Sequence, residues 1–287
     1  MPSLNNNADI RGHAMGVTKR NFGKIFLMNL IVGAIPAVIL QALSLIFNVI
    51  ISASVSSMTT RYPYYGYGSR YASSAVGFLF GAYAVYMLIS LLVSALITPA
   101  LTMGQNNGIL HMIRDEQTSV GAVFSRFRIC IKGFLLTLFI GLRTMLWALP
   151  GFAVILLAAV FGTGFGLFLL VVGYILIYAL IIPAAFRYCM AIPALADDPD
   201  LGVLEAFNRS KDMMEGRKWQ YFRLLFLYGL ILLGAVLAVT LLATLLAKVS
   251  IILSVLIILP IIPIFIFISM LTQVASLTFY DVYSANA

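Results

Sequence analysis

The chain has 287 residues, 62% of them hydrophobic and 10% charged, with a mean hydropathy of +1.04 and a net charge of +8. Soluble globular domains carry charge on about a quarter of their residues, so the composition excludes that class. The basic balance does not imply nucleic acid: Lys and Arg cluster beside the ends of apolar runs, where they meet anionic lipid headgroups.

Apolar runs lie near 25–51, 76–103, 133–160, 165–187, 222–247 and 249–271. Each holds the roughly 20 residues needed to cross a hydrocarbon core of about 30 Å, and several are long enough to tilt. The gaps between them are too short for a soluble domain, so 1–287 reads as one integral membrane domain. The expected fold class is all-α, a polytopic membrane helical bundle of about six transmembrane helices with cytoplasmic interfacial amphipathic helices. Residues 1–24 are polar, and the run after them is too long for a cleavable signal, so none is expected.

The first run carries Asn29, Gln41 and Asn48, of which only Gln41 is deep. Such residues make interhelical hydrogen bonds of roughly 0.6–2 kcal/mol, or line a polar path. The next gap, 52–75, is Ser-rich and then reads RYPYYGYGSRY from Arg61 to Tyr71, which predicts an irregular aromatic loop at the outer interface. Its tyrosine faces offer the alternative of a platform for cations. Arg143 is the one charge well inside a run, eleven residues past Lys132 or about 16 Å along a helix. Either it snorkels toward the nearer interface, or it faces the bundle and holds an anionic headgroup or substrate. Gly162-Thr163-Gly164 predicts a bare hairpin between the third and fourth runs. Prolines recur in the runs as potential bends: Pro36, Pro99, Pro183, Pro260 and Pro263.

Residues 199–215 predict an amphipathic helix lying in the inner interface. Asp198 suits its N-cap, Pro199 its first position and Gly216 its stop. Leu201, Leu204, Phe207 and Met214 share its apolar face, and Trp219 and Tyr221 suit headgroup level beyond it.

One threading places all ten carboxylates and fourteen of eighteen Lys and Arg on the same side, which is then cytoplasmic and holds both termini. Arg61, Arg70 and Lys248 fall opposite. Cys130 and Cys189 lie at the cytoplasmic edge, so no disulfide is expected. Each pair of runs follows a basic, partly amphipathic segment, from Arg11, Thr118 and Asp198, which suggests three repeated elbow-plus-hairpin units.

Several steps resemble a known family. Arg187-Tyr188-Cys189-Met190 is followed by Leu195-Ala196-Asp197-Asp198-Pro199, then by Ala206, Ser210, Met214, Gly216, Lys218 and Phe222. Together with the closing Thr278-Phe279-Tyr280-Asp281, these resemble the bacterial integral-membrane family known as domain of unknown function 975. Leu146-Trp147 ahead of Pro150 is similar to a step in some relatives. The likeness is specific over 186–222 and follows the order of elements elsewhere. The stretch from Trp147 to Ile182 is longer than in many relatives, and FLYGLIL from Phe226 lacks a tryptophan that relatives often carry there. A more distant likeness is to membrane domains fused to glycerophosphodiesterases. The resemblance implies a fold and a bacterial plasma membrane, not a reaction.

No carboxylate lies within a run, and HExxH, GxSxG and Walker sequences are lacking. Two Cys and two His, His13 and His111, are spaced without metal-ligand pattern, so neither a metal nor a cofactor is expected. Asp197, Asp198 and Asp200 offer a cation site beside lipid phosphates, or simply acids dressing a helix start. The expected function is a non-enzymatic membrane protein that binds or handles lipids, or serves transport or immunity. The alternative is an interface enzyme acting on lipid headgroups, which needs Asp197 or Asp198 near His111. Ligand-binding candidates are Arg143, Gln41, Arg187, Asp197 and Asp198. Anionic membrane lipids are the expected partners, beside a second copy or another membrane protein.

Overall fold

The computed structural model describes residues 6–61, 68–247 and 261–284, and every regular element among them is helical. In chain order these are α1 (Asn7–Arg20), α2 (Phe22–Arg61) and α3 (Gly68–Ile113), then 3-10 turns at Val120–Phe124 and Phe127–Ile129. There follow α4 (Cys130–Ala158), α5 (Thr163–Tyr188), the short α6 (Ala191–Asp197), α7 (Val203–Met214), α8 (Lys218–Ala247) and α9 (Ile261–Ser284). Six of these elements contain stretches long and apolar enough to cross a membrane.

The crossing helices form three antiparallel pairs. In the first, Phe47 of α2 stacks on Tyr86 of α3 with ring centroids 4.7 Å apart. In the second, α4 and α5 approach backbone to backbone: a Cβ at Gly151 would overlap Ile177 and lie 2.9 Å from the Gly173 carbonyl oxygen. Small residues allow this closeness where lipid supplies no hydrophobic drive between helices. In the third, the Tyr221 hydroxyl of α8 lies 2.7 Å from the Ser276 hydroxyl of α9. The segments leading into the three pairs differ in structure: one helix before the first, two 3-10 turns before the second, and α7 from the expected third segment, with α6 lying ahead of it.

The core sits at one end of these pairs. Its members come from the start of α2 (Ile25, Met28), the end of α3, the start of α4 (Leu136), the start of α8 (Leu224, Tyr228) and the end of α9. Of each crossing stretch, only 6% to 39% is buried within the chain, so most of its length faces lipid rather than protein. This is also the end where the basic residues gather, and α1 closes it from below through Ile10, Ala14 and Val17.

Helix α3 explains how the core forms. Its 46 residues span about 69 Å at 1.5 Å each, roughly twice the hydrocarbon thickness. The excess, from Pro99 to Ile113, is buried almost throughout and becomes the hub of the basic end. A Cβ at Gly104 would overlap the Val123 carbonyl oxygen, so the 3-10 turn lies directly on this helix because Gly104 has no side chain. The run expected to end near 103 therefore continues as helix for ten residues more.

Other boundaries move as well. The loop expected over 52–75 is helical up to Arg61 and again from Gly68, while residues 62–67 of the tyrosine-rich segment lie outside the described residues. Serines within α2 bond back to their own helix, which satisfies their hydroxyls without a loop: Ser52 donates to the Val49 carbonyl (3.0 Å) and Ser54 to that of Ile50 (2.8 Å). The sixth run was expected over 249–271. Its first part lies outside the described residues, and the helix continues to Ser284 because Leu271–Tyr280 supply core side chains. Helices run unbroken through Pro36, Pro99 and Pro183.

Helix α7 begins at Val203, later than expected. Asp198 instead closes a turn by accepting the Asp200 N–H (3.0 Å), and the Gly202 N–H donates to the Glu205 carboxylate (3.3 Å) at the true start. Gly216 ends it at φ +73°, a left-handed conformation that glycine adopts without cost. Its apolar face is covered by protein: Phe207 stacks on Tyr188 (4.3 Å) and meets Phe139 edge-on (4.7 Å). Leu204, expected on that face, is exposed. Trp219 is exposed as headgroup level requires, whereas Tyr221 is a core residue.

Candidate functional site

The residues that join the three pairs at the basic end are polar, and their partners are far apart in sequence. Arg114, just past α3, makes a two-pronged contact with Asp197 of α6, Nη1–Oδ1 2.7 Å and Nη2–Oδ2 3.0 Å. Its Nε donates to Asp281 of α9 at 2.7 Å. Tyr280 donates its hydroxyl to Asp197 Oδ2 (3.2 Å). The hydrogen bonds to Asp197 raise the Arg114 pKa above its ordinary value, so this guanidinium stays charged. A planar fork matched to a carboxylate is stronger and more directional than a single contact, which suits Arg114 to holding three helices at once.

A second cation closes the end of α6. Arg126 donates to the backbone carbonyls of Ala196 (2.9 Å) and Asp197 (3.2 Å), which the helix end leaves unpaired, and to Asn107 Oδ1 (2.9 Å). Lys132 does the same for the following turn, reaching the carbonyls of Pro199 (2.9 Å) and Leu201 (3.2 Å). Ser210 of α7 accepts the Met190 N–H (3.1 Å) and donates to the Arg187 carbonyl (3.0 Å), fixing α7 beneath the α5–α6 corner. Many residues of the 187–222 pattern are thus ties within the chain.

Above this network lies a cavity of about 560 Å³, within the usual range of ligand sites. Thr102 and Asn106 of α3, the α5–α6 corner at Cys189 and Pro193, α8 and α9 enclose it. Leu225, Leu232, Phe265 and Ile268 make the apolar part of its wall. Among the described residues no Lys, Arg, Asp or Glu lines the space, although the charge of Arg11 reaches Tyr228 from outside the lining. Asn106 is 7% exposed, and its amide has no hydrogen-bond partner among the described residues. Gln273 accepts from Gln105 (3.4 Å) through its oxygen, leaving its NH₂ unpaired among the described residues. The Tyr228 hydroxyl is buried and also lacks a partner there. Gly229, Phe265 and Ser269 are the exposed members of its lining. The space thus sets apolar walls beside neutral hydrogen-bonding groups.

The residues singled out from sequence scatter. Gln41 is exposed on α2, away from the cavity. Asn29 and Asn48 bond back to their own helix, at the carbonyls of Ile25 (3.1 Å) and Ser44 (2.8 Å), rather than to another helix. Asp197 is taken up by Arg114 and Tyr280, and Asp198 by its turn. His111 contacts Glu116, not either aspartate. Arg143 is exposed, without a hydrogen bond or ion pair among the described residues. It lies one helical turn, about 6 Å, beyond the level at which Phe139 meets α7, so it is closer to the basic end than counting from Lys132 implies. Arg187 borders two surface depressions beside Lys218. Reading for charges within apolar runs missed Asn106, Gln273 and Tyr228. The signal available for them was the unbroken polar step Gln105-Asn106-Asn107 straight after an apolar run.

Three antiparallel helix pairs, rooted in a shared apolar core and tied by polar contacts at one end, define a multi-pass helical membrane protein. The family model described as a protein of unknown function, DUF975, matches residues 69–286, and the chain belongs to that family. Comparison with curated proteins and with solved structures finds no significant match.

Proposed function

We propose that this is a bacterial plasma-membrane protein, both termini cytoplasmic, that binds a lipid or similar small amphiphile without chemically altering it. The cavity carries this reading. It joins apolar walls to unpaired neutral hydrogen-bonding groups, and its exposed lining residues Phe265 and Ser269 belong to a helix long and apolar enough to cross a membrane. An uncharged head fits best, because a lining without charge leaves a charged one uncompensated in a low dielectric. The charge partition supports the orientation, and the family resemblance supports the bacterial membrane. An interface enzyme acting on headgroups loses support, because Asp197 and Asp198 are engaged structurally and His111 lies with Glu116.

The test is mass spectrometry of lipids that co-purify in mild detergent, compared with total membrane lipid. One neutral amphiphile should be enriched, and Ser269→Phe, which fills the mouth, should remove it while helicity and melting temperature persist. Bound lipid that mirrors the bulk membrane in both proteins would overturn the proposal.

A further inference from the structure

A second lipid-facing feature lies outside the cavity, where α4, α5 and α8 meet at the basic end. A narrow apolar groove of about 110 Å³ runs between Trp147 of α4 and Leu180, Pro183 and Ala184 of α5. It ends at Arg187 and Lys218. The same two residues form the near wall of a wider pocket of about 430 Å³, completed by Lys211, Glu215, Gly216 and Trp219. The two depressions are therefore adjacent: an apolar groove and a cationic mouth meet at Arg187 and Lys218.

The charges at this mouth are free. Arg114, Arg126 and Lys132 are spent on carboxylates and carbonyls of the chain, but the side chains of Arg187, Lys211 and Lys218 have no such partner among the described residues. Three cations face one carboxylate, Glu215, which leaves an excess of two positive charges. Helix α8 begins at Lys218, so the positive end of its dipole adds to the same field. Arg187 and Lys218 are half-buried, which screens them less than fully exposed charges. Trp219 is 66% exposed and stacked on Phe222 at 5.0 Å, placing a flat amphipathic ring at the rim.

We infer that this groove and mouth hold one anionic glycerophospholipid, with an acyl chain between α4 and α5 against Trp147 and the phosphodiester between Arg187 and Lys218. The apolar channel selects a lipid over a free phosphate, and the excess positive charge selects an anionic over a zwitterionic head. The site is separate from the cavity: it shares no lining residue with it and takes the opposite kind of headgroup.

The experiment uses the full chain in detergent, titrated with dioleoyl-phosphatidylglycerol, dioleoyl-phosphatidylcholine, oleate or glycerol 3-phosphate, and read by native mass spectrometry. One phosphatidylglycerol should be retained in preference to phosphatidylcholine. Arg187→Gln with Lys218→Gln should weaken retention roughly tenfold or more, since both charge-assisted hydrogen bonds to the phosphodiester are lost. Lys19→Gln, an exposed cation on the same side, should leave it unchanged. Ala179→Phe, which narrows the channel from the exposed face of α5, should weaken phosphatidylglycerol retention without affecting the cavity lipid. Equal retention of phosphatidylglycerol and phosphatidylcholine would overturn the proposal, as would indifference to the double substitution. Glycerol 3-phosphate binding as well as phosphatidylglycerol would reassign the mouth to a bare anion, and oleate binding as well would show that no phosphodiester is needed; either result defeats the proposal.

Discussion

The Nε of Arg114 lies 2.7 Å from the carboxylate of Asp281, a residue 167 positions further along the chain. With Asp197 on its other edge, one guanidinium just past α3 links that helix to the end of α6 and the last turn of α9. The contact is sheltered: the Asp281 side chain is 8% exposed, and those of Asp197 and Arg114 are 22% and 30%.

Replacing Arg114 by Leu should therefore cost about 3–5 kcal/mol, because it strands two carboxylates away from water. Arg114→Lys should recover only part of this, since an ammonium cannot span both acids with a rigid fork. Thermal unfolding in detergent measures the order. Equal melting temperatures for the wild type and Arg114→Leu would mean that the tie is incidental.

Gly104→Ala should be damaging although it adds a single methyl group. The new carbon would overlap the Val123 carbonyl, and backbone on both sides leaves little room to yield, so a loss of about 1–3 kcal/mol is expected. Gly81→Ala, in the same helix with nothing within 4 Å, should be neutral or stabilising by up to about 1 kcal/mol. Comparing the two melting temperatures tests whether the 3-10 turn rests on α3 as described.

Arg143→Leu should leave the protein as stable as before or more so, and both bound lipids in place. The residue is exposed beside the basic end and without a partner among the described residues, which favours snorkelling over ligand binding. Loss of either lipid in a folded variant would restore Arg143 as a binding residue.

Cysteine labelling tests the orientation. Cys189 is mostly covered, so the natural cysteines are best replaced, by Cys130→Ser and Cys189→Ala, and single probes placed at exposed Glu215 or Val160. A membrane-impermeant maleimide on intact cells should label Val160→Cys and spare Glu215→Cys. The reverse pattern would invert the threading.

The crossing helices were legible because a bilayer demands about 20 apolar residues in a row, and hydropathy reports little else. Gly216 as a helix stop was legible for a similarly local reason. The core was harder to read. Its hub, Pro99–Ile113, differs from a loop only in packing, and Gly104 signals that packing weakly. The Arg114–Asp281 contact has no local trace at all. Basic residues beside span ends look alike in sequence, yet Arg126 and Lys132 satisfy carbonyls within the chain while Arg187 and Lys218 remain available. Serine back-bonding in α2 hid a helix inside a segment with loop composition.

Three hairpins joined at one end behave like hinged legs rather than like a barrel of staves. The fully buried part of the shared core reaches no further along the helices than Met28, Leu101, Leu136, Tyr228 and Ile268 among the described residues, so beyond it a tilt in one pair passes to the others only through partly buried contacts. Each leg can settle its own apolar length against the local bilayer, where mismatch costs fractions of a kcal/mol per Å. Thin and thick membranes should therefore change the splay of the legs while leaving the Arg114 joint untouched.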